Sequence, residues 1–340
     1  MLVTFDDARR LALDILRGAG VPDGHADTQA SLFLEAELRG RPSHGLLRLA
    51  RVVERIRNGV TNPLTKGAHR WRGDSLLLVD GEMGLGPVVA FEALSHLTTR
   101  ARSTGVAMAA IRNNNHLGMM GWYAEHVAGA GQVFIGFTTS EALVHPWGGR
   151  RALLGTNPIA IGVPANPRPL VVDVAAGVVS MGQIHDYAHR GQPIPAHWAL
   201  DRDGNPTTDA VAAKDGAIAP FGNAKGYALG LGIEALVTCL AGAAFGRDVA
   251  GTLDSDRACN KGDLFCVIDA GLGDATIAQV TAYLDEVRAC PPGEGVERVL
   301  VPGDRAWRVR EERLRDGLPV ADEVWGRLTR LARELAGPES

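Results

Sequence analysis

SLLLVDGEMGLGPVVAFEALSHLTTRA (residues 75–101) reads as a strand, a glycine turn and a helix, and VAMAAIRNNNHLGMMGWYAEHVAGAG (106–131) repeats that order. QVFIGFTTS (132–140) adds a strand that ends in polar residues. Downstream, PIAIGVPA (158–165), PLVVDVA (169–175) and LFCVIDA (264–270) are short apolar strands, and ATIAQVTAYLDEVRAC (275–290) is a helix. Strands alternate with helices through 72–290, so the expected class is α/β or α+β.

Both ends of the chain read as helical. Residues 5–20 and 24–40 form two helical patterns, and RPSHGLLRLARVVERIRNG (41–59) a third. In the third, Leu46, Leu49, Ala50, Val53 and Ile56 mark a buried face, with Ser43 as N-cap behind Pro42 and Gly59 as the stop. His44, Arg48, Arg51 and Arg55 share the opposite stripe. A titratable imidazole one turn from a guanidinium can hold a carboxylate and move a proton beside it. A solvated basic face accounts for the same residues, and Arg55 is read as exposed charge.

With 340 residues, 46% of them hydrophobic, the chain can bury a sizeable core and more than one domain is expected. A net charge of −4 gives no reason to expect nucleic acid or an anionic membrane as partner. The N-terminus interleaves acids and bases and carries no apolar core of signal-peptide type, so a cytoplasmic protein is expected. GYALGLGIEALVTCLAGAAFG (226–246) is long enough to span a membrane, but Glu234 sits at its centre and a buried core helix is expected. Cys239, Cys259, Cys266 and Cys290 form no CxxC, which implies reduced thiols and no zinc site.

Three glycine pairs imitate a dinucleotide fingerprint. Gly84/Gly86 has Val89 and Gly271/Gly273 has Thr276 at the third position, while Gly230/Gly232 lies inside a helical run; none makes an ordinary Rossmann turn. Asp201, Asp203 and Asn205 lack the glycine and glutamate of a calcium loop. His185 and His189 have metal-pair spacing without a third ligand, so no metal is expected.

Chemistry concentrates elsewhere. His116 follows three asparagines and is read as opening a helix, whose N-terminus would keep its imidazole neutral and usable as an acid–base group. Helix capping by Asn115 with His116 incidental accounts for it equally. Asp173 ends an apolar strand, near a site or capping a helix. Lys225 opens a helix against its dipole, which phosphate or carboxylate binding would explain.

SHGLLRL (43–49), DGEMGLG (80–86), NNNHLGMMGWYA (113–124), HPWGGRRALLGTNPIAIGVPA (145–165), DVA (173–175), ALDRDGNPTTD (199–209), PFGNAKGYALGLGIE (220–234), NKGDLF (260–265) and PGDRAWRVREERL (302–314) run in family order over nearly the whole chain. Together they resemble the non-Rossmann malate/L-lactate dehydrogenase family. That family includes ureidoglycolate, sulfolactate and diketogulonate oxidoreductases and cyclic-ketimine reductases.

The resemblance implies a helical domain from both chain ends (1–72 with 300–340) and a non-Rossmann NAD(P)-binding domain (73–299) around a large, mostly antiparallel sheet. It implies a homodimer, NAD or NADP as cofactor and a small anionic substrate. It implies His44, supported by Ser43, as proton donor and Arg48 as carboxylate anchor. His116 would act as proton acceptor or line the nicotinamide pocket. Ser140, Thr156, Asp173, Val174, Ala175, Lys225 and the Pro302–Arg305 segment, with Asp304 and Arg305, would contact the dinucleotide. Arg51 is a candidate second anion contact.

The sequence departs from the family at one place. Ala176 and Gly177 stand where many members have Thr-Ser, and Gln183 stands where they have Lys or, in ketimine reductases, Asp. The implied activity is hydride transfer between nicotinamide and C2 of a 2-oxo or 2-hydroxy acid. A reductase of cyclic or N-alkyl imino acids, and a nucleotide-binding paralogue without turnover, are the alternatives.

Overall fold

A computed structural model describes residues 1–336; residues 337–340, the end of the expected helical segment, lie outside the described residues. The two chain ends meet. Strand β1 (Leu2–Val3) pairs antiparallel with β11 (Leu318–Pro319). Helices α1 (Phe5–Gly18), α2 (Asp23–Leu38), α3 (Leu49–Arg57) and α11 (Asp322–Ala336) bury Ile15, Leu16, Phe33, Leu34, Leu49, Val53 and Leu328 in one core. Thr4 caps α1 by accepting the Asp7 amide at 3.1 Å. Helix α10 (Asp304–Asp316) lies on α2.

The sheet has seven strands in the order β2 (Ala68–Arg72), β3 (Leu76–Asp80), β4 (Val106–Arg112), β10 (Gly262–Ile268), β5 (Val133–Thr138), β6 (Ile159–Val163) and β7 (Leu170–Val174). Only the β3–β4 pair is parallel, joined by α4 (Gly86–Thr104), so the mostly antiparallel sheet expected from the resemblance is present. Strand β2 is its edge, so the sheet begins inside the expected helical segment 1–72. Alternation along β3 sends Leu77 and Val79 into the core shared with α4 and α5 (Met120–Gly129), while Leu76 and Leu78 meet α8 (Ala224–Ala241) on the opposite face. A smaller core around Val144, Ile184 and Ile218 holds α6 (Met181–His189), β8 (Ala199–Leu200), α7 (Ala210–Ala213) and β9 (Ala217–Ile218). Helix α9 (Asp274–Ala289) buries Leu284 beside Val301.

Helix α8 is not the buried core helix expected. Seven of its eighteen residues are buried, while Leu229, Leu231, Leu236 and Leu240 are exposed. The sheet covers one side of a helix that is apolar all round. By length and composition α8 is the one described helix that could cross a membrane, yet its inner side packs on β4, β10 and β5.

Candidate active site

The 41–59 segment folds differently from its helical pattern. Two 3-10 turns, Pro42–His44 and Leu46–Arg48, precede α3, so Ser43 is no N-cap. The break is pinned from α2. Glu37 Oε1 accepts the Leu46 amide at 2.9 Å, and a Cβ on Gly45 would stand 2.3 Å from that oxygen. Ser43 Oγ instead lies 2.9 Å from His44 Nδ1. Arg48 folds back and donates from Nε to the Ser43 carbonyl at 2.8 Å.

His116 closes the site from the sheet side. Its ring centroid is 5.5 Å from that of His44. It does not open a helix: α5 starts at Met120, and Asn115 caps nothing. Asn115 donates to the Met83 and Gly84 carbonyls at 2.7 and 2.8 Å and accepts from Arg55 Nη2 at 2.9 Å. Gly86 lies so close that a Cβ would meet the His116 carbonyl at 2.1 Å. The rejected glycine pair is therefore a packing device that seats the asparagine loop. Arg55, expected as exposed charge, is buried; it also donates to the Asp254 carbonyl at 2.9 Å.

Both imidazoles are held neutral. Burial, then the charges of Arg48 and Arg41, push the His44 pKa down to about 3. Burial, then the charges of Arg48, Lys261 and Arg51, lower that of His116 well below its usual value. The neutrality of His116 thus comes from burial and cations rather than a helix terminus. His116 Nδ1 accepts the Gly118 amide at 2.9 Å, which leaves Nε2 as the proton-bearing nitrogen of the neutral ring. Burial and Arg51 lower the Arg48 pKa to about 10, with Glu141 opposing, so the guanidinium stays charged at neutral pH. Arg51 is exposed and lines the same cleft as Arg48, His116 and Thr252.

Residues that the sequence reading passed over hold this frame. Glu141 Oε1 accepts the amides of Thr252 and Leu253 at 2.7 and 2.9 Å, and the Thr252 carbonyl lies 3.4 Å from Arg48 Nη1. Asp263 accepts from Asn114 at 3.1 Å and pairs with buried Lys261. Glu234, noted only as a charge within an apolar run, accepts from the Gly155 amide at 3.1 Å and from Asn157 Nδ2 at 2.7 Å, fixing the GTNP turn. Glu141 follows the polar end of β5, and Asp263 is an acid at the start of an apolar strand; these are the signals that marked them.

The expected dinucleotide contacts fall in two groups. Ser140 Oγ accepts the Thr156 amide at 3.1 Å, and the Thr156 carbonyl accepts the Ala176 amide at 2.7 Å beside exposed Val174 and Ala175. The Phe221 amide donates to the Ala176 carbonyl at 3.0 Å, which ties the turn before Lys225 to that strand end. Asp173 is already engaged: its Oδ2 accepts the Gly121 amide at 2.9 Å in the first turn of α5, the capping alternative. Asp304 and Arg305 lie apart, lining another cavity. Gln183 is exposed in the first turn of α6, and a Cβ on the neighbouring Gly182 would come within 3.4 Å of Ser43 Cβ. His185 and His189 gather no third ligand; no metal-holding group of three occurs among the described residues.

A family model described as malate/L-lactate dehydrogenase matches residues 3–329. The chain belongs to the malate/L-lactate dehydrogenase family. It is therefore an oxidoreductase. An L-sulfolactate dehydrogenase of Methanocaldococcus jannaschii is 34% identical over 338 residues, covering 98% of this chain and 97% of that one. A (2R)-3-sulfolactate dehydrogenase (NADP(+)) of Chromohalobacter salexigens is 33% identical over 315 residues, with 92% of each covered. Among solved structures, a dehydrogenase from Sinorhizobium meliloti superposes with a TM-score of 0.94 at 49% identity, covering 98% of both chains. A delta1-piperideine-2-carboxylate reductase of Pseudomonas syringae gives 0.87 at 29% identity, covering 97% of this chain and 99% of that one.

Proposed function

We propose that this family member is an NAD(P)-dependent oxidoreductase that acts at C2 of a small 2-oxo or 2-hydroxy acid, with His44 as proton donor and Arg48 as carboxylate anchor. The observation that carries it is the convergence of Ser43, His44, Arg48 and His116 beside the cleft that Arg48 and His116 line. The donor set fits a dinucleotide: two hydroxyls (Ser140, Thr156), an exposed strand end and the Lys225 ammonium at a helix start. When bound, the nicotinamide supplies or removes the hydride. Arg48 fixes the substrate carboxylate with its remaining N–H groups. His44 then gives a proton to the C2 oxygen, steadied by the Ser43 hydroxyl. Nicotinamide absorbance with a panel of 2-oxo acids tests this reading; coenzyme binding without turnover on any of them counts against it.

The same frame predicts how protonation follows binding. Burial is the larger cause of the low His44 pKa and persists, but a carboxylate on Arg48 cancels one of the two charges that add to it, so the pKa rises from about 3. A non-reducible 2-oxo acid analogue should bring with it up to about one proton at pH values between the free pKa of about 3 and the bound pKa, and almost none well above the latter. Calorimetry in buffers of different ionisation enthalpy measures this, and His44→Gln should abolish the uptake. Binding with no proton uptake across that range contradicts the assignment of His44.

Arg51 supports a substrate with a second anionic group, as in the malate and sulfolactate of the relatives' names. Arg51→Ala is expected to raise KM about tenfold for a dianionic 2-oxo acid and no more than about twofold for a monoanionic one. An equal effect on both removes the second contact.

A second reading is reduction of a cyclic imino acid. The piperideine-carboxylate reductase likeness and a neutral Gln183, next in sequence to the Gly182 that packs on Ser43, favour it. Turnover of cyclic imino acids with none of 2-oxo acids would select it. The exposed leucines of α8 support the expected homodimer, which sedimentation analysis checks.

A further inference from the structure

A cavity of about 460 Å³ lies at the start of β7, lined by Leu170 and the first turn of α10. Arg168, Arg288, Arg298, Arg305 and Arg308 line it against only two acids, Asp304 and Glu311. Both acids are already engaged. Asp304 accepts from Arg288 Nε and Nη2 at 3.0 and 2.9 Å and from the Val301 amide at 3.0 Å. Burial alone would raise its pKa, but the Arg288 hydrogen bonds, the Val301 amide and the charges of Arg288 and Arg298 prevail and hold it low. Glu311 pairs with Arg168.

Three arginines are left without such a partner. Arg298 and Arg305 make no hydrogen bond or ion pair among the described residues, and the one contact of Arg308 is Glu312 at 3.9 Å. Trp307 forms a stiff aromatic wall, with Arg39, Arg168 and Arg310 stacked 4.3–5.2 Å from its ring. Strand β7 joins this cavity to the hydroxyl cluster. From Leu170 to Ala176, whose amide bonds Thr156, the chain runs about 20 Å at roughly 3.3 Å per residue, the reach of an extended dinucleotide.

We propose that this cavity takes the adenosine end of the coenzyme in its 2′-phosphorylated form, so that the enzyme prefers NADP(H), with Arg298, Arg305 and Arg308 holding the phosphate. This rests on the nicotinamide reading above. A free ribose 2′-hydroxyl is recognised by an acid that accepts its hydrogen bond, whereas a 2′-phosphate is accommodated by arginine. Here the acid is locked to Arg288 and Val301, and the guanidinium groups are free. A phosphate monoester brings close to two negative charges and three acceptor oxygens, which matches unpaired guanidinium forks. The N-terminus of α10 adds favourable dipole.

Calorimetric titration with NADP+, NAD+, 2′,5′-ADP and 5′-AMP at fixed ionic strength tests this. NADP+ is expected to bind at least about 30-fold more tightly than NAD+, and 2′,5′-ADP to exceed 5′-AMP similarly. In Arg298→Gln/Arg305→Gln both ratios should fall to within about threefold of unity. Equal affinity for the two coenzymes in the unmodified enzyme, or a ratio unchanged in the double variant, overturns the proposal while leaving the nicotinamide reading intact. Binding of neither coenzyme overturns both. The unmodified protein's ratios decide the question even if the double variant fails to fold.

Discussion

Arg48→Leu is expected to lower kcat/KM for a 2-oxo acid about a thousandfold, the consequence of losing roughly 4 kcal/mol of transition-state binding. The size follows from how this guanidinium is prepared. Its Nε is fixed on the Ser43 carbonyl, and Nη1 is steered toward Thr252 by a loop that Glu141 and Arg55 hold from two sides. The side chain is thus ordered before substrate arrives, so little entropy remains to be lost on binding. Arg48→Lys keeps the charge but not the planar fork, and should recover only part of the loss. Coenzyme affinity, measured separately, distinguishes a lost anchor from a misfolded protein. A variant that retains kcat/KM within a few-fold removes Arg48 from the substrate site.

The second large effect is expected at His44. His44→Gln should reduce kcat by about a thousandfold, within the range for a positioned general acid. KM should change little, because the carboxylate stays on Arg48. Ser43→Ala, which removes the 2.9 Å partner of Nδ1, should cost about tenfold by loosening ring orientation. His116→Gln is the informative companion. It lines the cleft beside Arg48, so retention of activity in His44→Gln alongside loss in His116→Gln would exchange the two roles.

The sheet was legible because burial on two faces leaves a period-two trace: Leu76 and Leu78 face one way, Leu77 and Val79 the other. His44 and Arg48 were legible as a pair, but not the turn that carries them, because Glu37 and Gly45 overrule helical spacing from another element. Arg55 was misread for the same reason. Its partner Asn115 lies sixty positions away, and no local pattern reports a hydrogen bond across that distance. Glu141 reaches Thr252 across 111 positions and was passed over. The exposed side of α8 was missed because uniform apolarity says that a helix is covered without saying by what. At Asp304 the resemblance implied a dinucleotide contact, and only the Arg288 clamp shows that its oxygens are occupied.

The most direct test of the central claim, that one cleft anchors a carboxylate and protonates C2 beside it, compares a 2-oxo acid with its methyl ester in the coenzyme-oxidation assay. The intact enzyme should prefer the acid by about a thousandfold in kcat/KM, and Arg48→Leu should lose that preference. Equal turnover of acid and ester by the intact enzyme, or an undiminished preference in Arg48→Leu, would contradict the account.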